Sequence, residues 1–132
     1  MKQMKTLKLT VVFFLLFFSL SLSSFAQKEE IVAAMKTGNV DKMSRHFDQM
    51  IDLNVPGKNN TYSKGQGELV LKDFFAASRV KNFEVQHSGS NPSSNFIIGT
   101  LFTSNGDYRT TVYMRQRGDK LLIQGIEFEP KN

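Results

Sequence analysis

The fold is indicated by residues 95–128, NFIIGTLFTSNGDYRTTVYMRQRGDKLLIQGIEF, in which apolar and polar residues mostly alternate. Alternation with a period of two is typical of β-strands that have one buried face. Two turn signals divide the stretch: Asn105-Gly106 predicts a type I′ hairpin turn, and Gly118-Asp119 suits a type II′ turn with glycine first. The stretch therefore predicts three antiparallel strands, over residues 95–103, 108–117 and 120–128.

A fourth strand is predicted just before them, over residues 83–88, followed by an exposed loop at 90–94 that is rich in serine and contains a proline. Earlier in the chain the pattern changes, because apolar residues recur every three or four positions, as on one face of a helix. This spacing predicts a helix over 28–36 and another over 66–77, and Gly38 is a suitable stop for the first.

The segment between these two helices is predicted to contain a short helix followed by strands. Asn39 is a suitable N-cap for a second helix that carries Phe47 and Met50 on its apolar face. Alternation then predicts a strand over 51–55, a loop at 58–60 and a short strand at 61–63. The predicted fold class is therefore α+β, with three N-terminal helices packed on one face of a curved antiparallel sheet, so that Phe74 and Val112 meet in one interior.

The two faces of the predicted sheet differ in composition. One face of strand 108–117 should turn toward the helices and the other away from them; the inward set is Tyr108, Thr110, Val112 and Met114, and the outward set is Arg109, Thr111, Tyr113, Arg115 and Arg117. Strand 95–103 is apolar on both faces; the two sets are Phe96, Ile98 and Phe102, and Ile97 and Leu101. Because a strand that is apolar on both faces is usually covered on both, the pattern predicts a homodimer through the outer sheet face.

Residues 1–26 have the pattern of a signal peptide. Lys2, Lys5 and Lys8 precede a 12-residue apolar block at 11–22, and Ser24-Phe25-Ala26 places small residues before a cleavage site after Ala26. The block is shorter than the roughly 20 apolar residues of a membrane span, although an uncleaved anchor was the alternative. The sequence thus predicts a single domain, 27–132, that is periplasmic or secreted and not attached to a membrane after cleavage.

The amino-acid composition excludes several kinds of partner and binding site. The chain has 17 Lys+Arg, 12 Asp+Glu and no Cys, with a net charge of +5 that falls to +2 when three signal lysines are removed. A charge of this size gives no indication of a nucleic-acid partner. The absence of Cys excludes disulfides and thiolate zinc sites, and the two histidines have no metal-ligand spacing, so no metal and no cofactor is predicted.

Several stretches resemble the exported bacterial family called domain of unknown function 4783. They are AMKTGNVDKMSRHF at 34–47, IDLNV at 51–55, TYSKGQGELVLKDFF at 61–75, FEVQHSG at 83–89 and IGTLFTSNGDYR at 98–109. The resemblance implies a cone-shaped domain similar to nuclear transport factor 2 and the cystatin-like superfamily. That superfamily holds isomerases, dehydratases, transport adaptors and accessory domains, so it does not select an activity.

Three functions are compatible with this sequence. The first is a non-enzymatic exported domain that binds a small apolar ligand or a protein partner in an apolar cone. The second is a small isomerase, dehydratase or hydrolase that uses Asp52, His87 or Tyr62 in that cone; alternation with Phe83 and Val85 predicts that His87 faces it. The third is a structural accessory module whose cone is filled by four aromatic rings, those of Phe74, Phe75, Phe96 and Phe102.

Two further groups of polar residues lie close together in the sequence. Arg109, Tyr113, Arg115 and Arg117 form a face with guanidinium groups around an aromatic ring, which predicts anion or partner binding, with a solvated sheet face as the alternative. His46 and Asp48 lie on either side of Phe47. Because successive residues on a helix point about 100° apart, their side chains are not expected to converge on one atom.

Overall fold

The structure, a computed structural model, describes residues 24–91 and 95–131. Within these residues the helices are α1 (24–37), α2 (Val40–Ser44) and α3 (Lys64–Ser78). The strands are β1 (Phe47–Val55), β2 (Lys58–Ser63), β3 (Val80–Ser90), β4 (Asn95–Thr103), β5 (Gly106–Arg117) and β6 (Lys120–Pro130). None of the described helices is long and apolar enough to cross a membrane.

The strands form one sheet in the order β2-β1-β6-β5-β4-β3. The meander of β3 to β6 is antiparallel, as the alternation predicts. The β1–β2 hairpin extends this meander because β1 pairs with β6, and that one pairing is parallel. The α+β class is confirmed, with helices on one face of a curved sheet.

The second helix is shorter than predicted. Asn39 caps it as expected, since its side chain accepts a hydrogen bond of 3.1 Å from the Lys42 amide. The helix ends at Ser44, however, and the residues assigned to its apolar face, Phe47 and Met50, lie in β1. The spacing of Phe47 from Met43 fits a helix as well as a strand, and pairing of Phe47 with Ile123 of β6 decides for the strand.

The predicted loop at 58–60 is also a strand. Pro56 and Gly57 alone form the turn, because Val55 already pairs with Lys58. Gly57 has φ +86°, as required at the third position of a type II turn that has proline before it. Since β2 is a polar edge strand, in which only Tyr62 is partly buried, its sequence carries no alternating apolar signal.

The turn between β4 and β5 differs from the predicted type I′ turn. Its two central residues are Ser104 and Asn105, because Thr103 pairs with Gly106, and neither has a positive φ. Gly106, with φ +116°, follows the turn. The Asn105 side chain instead donates a 2.8 Å hydrogen bond to the carbonyl of Ala77, which ties this hairpin to the end of α3. At the next hairpin Gly118 has the positive φ (+63°) that the predicted type II′ turn needs.

The inner face of the sheet forms the core with the helices. The alternation in β5 is confirmed: Thr110, Val112 and Met114 are buried. Phe74 packs against the core cluster that contains Val112, as predicted. At the end of the cone near α3, aromatic rings fill the interior, with centroids 4.9–5.9 Å apart; they belong to Phe74, Phe75, Tyr108 and Phe128.

Candidate functional site

The opposite end of the cone holds an open cavity of about 780 Å³. It lies between the N-terminal half of α1 and the ends of β3, β4, β5 and β6, far along the sheet from the aromatic cluster. Its apolar wall consists of Phe25 and Val32 from α1 and of Val85, Ile97 and Leu121 from the sheet. Ile97 and Leu121 are buried, whereas Val85 is 43% exposed, so the wall continues from the core to the surface.

Polar side chains surround this wall. Ser88, Ser90, Asn91, Asn95 and Gln116 line the sheet side, and Lys28 and Glu29 line the helix side. Lys28 is half-buried, and its Nζ lies 3.4 Å from the carbonyl oxygen of Gly89. Burial lowers the pKa of Lys28 from its ordinary value, because the ammonium is partly removed from water. The cavity therefore combines an apolar wall with one cation, Lys28, one exposed carboxylate, Glu29, and several neutral hydrogen-bonding groups.

A β-bulge decides which side chains of β3 face the cavity. Val85 pairs with Gly99, but His87 pairs with Ile98, so β3 has one extra residue, Gln86, at this point. Beyond the bulge, the side chains that uninterrupted alternation would place on one face of β3 lie on the other face. Ser88, opposite Ile97, therefore turns inward.

The prediction that His87 shares a face with Phe83 and Val85 is wrong. The bulge turns His87 to the outer face of the sheet, where it is exposed. The residues that replace it at the cavity, Ser88 and Ser90, were not predicted, because uninterrupted alternation assigns both to the face opposite Phe83 and Val85. A single inserted residue leaves no local signal in an exposed strand such as β3.

The structure does not bring the proposed acid–base residues together. Asp52 lies exposed on the outer face, where its Oδ1 accepts a 2.5 Å hydrogen bond from the hydroxyl of Thr61. Tyr62 pairs with Ile51 and packs against the core on the inner face. His87 is four strands from Asp52, which at about 4.8 Å per strand is roughly 19 Å. The enzymatic alternative built on these three residues thus has no support in their geometry.

His46 and Asp48 also have separate surroundings. Asp48 forms an ion pair with Arg117 at 3.4 Å. His46 is largely buried in the turn before β1, with its Nε2 3.6 Å from Oε2 of Glu30 and without a hydrogen-bond partner among the described residues. Burial lowers the pKa of His46, and the Glu30 carboxylate opposes that shift by favouring the protonated ring.

This arrangement predicts a pH-dependent stability. Because the pKa of His46 is lower in the folded than in the unfolded state, its contribution is complete above the unfolded value of about 6.5 and is lost as the pH falls below it. We expect His46→Gln to reduce the loss of unfolding free energy between pH 7.5 and pH 5, measured by urea denaturation. His87→Gln, at the exposed histidine, is the matched control; equal slopes for His46→Gln and the wild type would contradict the prediction.

The arginine face lies outward, as predicted, but it is not a free cationic patch. Arg109 is directly opposite Glu129 in the β5–β6 pairing, and Arg117 is paired with Asp48. Partial burial and the carboxylates of Glu127 and Glu129 raise the pKa of Tyr113. The outer face is therefore mixed in charge around an exposed aromatic ring, which suits a protein surface better than an anion.

The aromatic filling expected for a structural module is only half present. Phe74 and Phe75 fill the closed end of the cone. Phe96 and Phe102 instead lie on the outer face, because their β5 partners are Tyr113 and Asp107. The cavity at the other end is consequently left open.

A second depression and the distribution of acidic residues and histidines give no indication of another binding site among the described residues. A shallow depression of about 360 Å³ beside α3 contains Asp41 and Lys72, whose charges neutralise each other at 2.9 Å. Across residues 24–91 and 95–131, no group of three or more His, Cys, Asp or Glu is placed to hold a metal ion.

The comparisons with known proteins agree with this fold. The family model described as Domain of unknown function (DUF4783) matches residues 28–129. The chain belongs to the DUF4783 family. A DUF4783 crystal structure from Bacteroides uniformis ATCC 8492 is 29% identical, with a TM-score of 0.75 over 79% of this chain and 96% of that chain. Another, from Bacteroides fragilis YCH46, is 31% identical, with a TM-score of 0.73 over 77% and 96%.

A more distant structure shares the fold alone. It is an NTF-2 like protein of unknown function from Burkholderia xenovorans LB400, 12% identical, with a TM-score of 0.65 over 85% of this chain and 87% of that chain. No curated protein matches the chain. The resemblance to the DUF4783 family and to the nuclear transport factor 2 fold is thus confirmed, and neither name states an activity.

Proposed function

We propose that this DUF4783 protein is an exported, non-enzymatic domain that binds a small, largely aliphatic ligand at the open end of its cone. The observation that carries the proposal is the cavity with an aliphatic wall; with residues 24–26 in place its volume is about 780 Å³, within the usual range of ligand sites, about 300–1,000 Å³. The acid–base candidates lie elsewhere, so the surroundings of the cavity favour binding over catalysis.

Export is supported by the pattern of residues 1–26 and by the family match, which begins at residue 28. Cleavage after Ala26 would remove Ser24 and Phe25, both of which lie at the cavity, and so widen its mouth. The new first residue would be held in place, because the Gln27 side chain accepts a 2.6 Å hydrogen bond from the Leu121 amide and donates one of 2.7 Å to the Asp119 carbonyl. The processed domain would be periplasmic or secreted.

The binding proposal is tested with a neutral aliphatic probe. The full precursor is expressed in a bacterium, the processed protein is purified and its N-terminus is sequenced, and 1-octanol is titrated calorimetrically. We expect cleavage after Ala26 and saturable binding of one octanol. Val85→Trp, which places an indole in the cavity from a partly exposed position, should weaken binding at least ten-fold.

The control variant places the same indole side chain on another surface of the protein. Leu69→Trp, at a 63% exposed position of α3 outside the cavity, should leave octanol binding unchanged. Equal binding by the Val85→Trp variant and the wild type, or no saturable binding by a folded wild type, would contradict the proposed function.

We also propose that two copies pair through the outer sheet face, in keeping with its composition. This face presents partly buried apolar side chains around the 44% exposed ring of Tyr113; they are Phe96, Ile98, Phe102 and Leu122. Arginines and glutamates alternate beside them, as in the pairing of Arg109 with Glu129. A two-fold interface can use such a self-complementary surface.

The dimer has its own test. Light scattering of the processed protein at micromolar concentration should give twice the mass of one chain, and Tyr113→Asp should give a monomer, because it would bury a carboxylate at the interface. Leu69→Asp, on the opposite surface, should remain dimeric. A monomeric wild type would refute the pairing and leave the cavity proposal intact.

A further inference from the structure

The cavity also contains a charged group that a purely aliphatic ligand would not bind. Lys28 is its only cation among the described lining residues, and it lies at one side of the aliphatic wall. An ammonium group has three hydrogen-bond donors, and the contact of Lys28 with Gly89 is long, at 3.4 Å. No carboxylate of the described residues lies within ion-pair distance of it.

We infer that the ligand is an amphipathic anion, an alkyl carboxylate whose charged group binds at Lys28 and whose chain lies along Val32, Val85 and Ile97. This inference rests on the proposed function of the same cavity. Lys28 and the hydroxyl groups of Ser88 and Ser90 supply donors, and ionised hydrogen bonds are roughly twice as strong as neutral ones.

The processed N-terminus would add to the preference of this site for an anion. Cleavage after Ala26 would add an α-amino group at the neighbouring residue, Gln27. Partial burial of Lys28 at the cavity also reduces the screening of its ammonium charge by water and salt.

One lining residue opposes the anion. Glu29 carries a negative charge, but it is exposed at the rim and points about 100° around the helix from Lys28. The remaining polar lining groups, such as Asn95 and Gln116, are neutral. The cavity thus has a cationic side and an aliphatic side, which is the complement of a carboxylate on a hydrocarbon chain.

The test compares octanoate with 1-octanol, which has the same chain without the charge, on the processed protein at pH 7. We expect octanoate to bind about ten-fold more tightly than octanol. Lys28→Met, which keeps the aliphatic stem, should lower octanoate affinity about ten-fold and octanol affinity much less, while Lys28→Arg should retain the preference. Lys36→Met, at an exposed lysine of the same helix, is the matched control and should change neither affinity.

The outcomes separate this inference from the proposed function. Octanol binding that Val85→Trp abolishes, together with equal octanoate affinity in wild type and Lys28→Met, overturns the anionic ligand and keeps the aliphatic site. Octylamine binding more tightly than octanoate also overturns it. Absence of binding by all three probes to a folded protein overturns both.

Discussion

Gly99→Ala is expected to lower the free energy of unfolding by about 3 kcal/mol, the upper part of the range for overpacking a core. Gly99 lies in the centre of β4, opposite Val85 at the bulge of β3. A Cβ there would collide with the carbonyl oxygen of Glu84 and would lie 2.6 Å from the buried ring of Phe83. The carbonyl belongs to the backbone of a paired strand and cannot move aside without disturbing the pairing.

The same substitution elsewhere in the chain is the control. Gly65, in the first turn of α3, has no atom within 4 Å of the position of an added Cβ. Gly65→Ala should therefore be neutral or stabilise by up to about 1 kcal/mol, because alanine reduces the freedom of the unfolded chain. Urea denaturation of both variants measures the difference; a Gly99→Ala variant as stable as Gly65→Ala would show that β3 and β4 do not approach as described.

Leu71→Ala is expected to cost about 3–4 kcal/mol, since Leu71 is fully buried between α3 and the sheet and truncation would leave a cavity in a close-packed interior. Leu69, two residues away in the same helix, is 63% exposed. Leu69→Ala should change the unfolding free energy by no more than about 0.5 kcal/mol. Equal effects of the two substitutions, measured by urea denaturation, would mean that α3 does not present the face containing Leu71 to the core.

The parts of the fold that were predictable are those in which side chains carry a period. The meander of β3 to β6 and the face of β5 that contains Val112 follow from alternation, because one face of the sheet is buried by helices and the other is not. The long helix α3 follows from Leu71 and Phe75 on one stripe. Local patterns of this kind are sufficient when burial is one-sided.

The parts that were missed depend on partners distant in sequence. Phe47 belongs to a strand only because Ile123 of β6 pairs beside it, a contact that no local pattern contains. The polar strand β2 exists because the backbone of β1 pairs with it through the turn at Pro56 and Gly57. Propensity and periodicity contain no information on such pairings.

The candidate site was predictable in kind but not in detail. An apolar cavity between helices and sheet follows from the fold, but alternation does not determine which of the two apolar faces of β4, the one with Ile97 or the one with Phe96, turns inward. Which polar groups enter the cavity depends on the bulge at Gln86, which exchanges His87 for Ser88 on that face. The position of Lys28 at the cavity was also missed, because an isolated lysine on a helix is ordinary until the opposite strand ends are placed around it.

The account depends most on the claim that the open end of the cone binds an aliphatic ligand. The direct measurement is a methyl ¹H–¹³C NMR titration of the processed protein with octanoate. We predict that the methyl signals of Val32, Val85, Ile97 and Leu121 shift together and saturate, while those of Ile98 and Leu122 on the outer face stay in place. Unchanged signals from the four cavity residues, or shifts confined to Ile98 and Leu122, would contradict the claim.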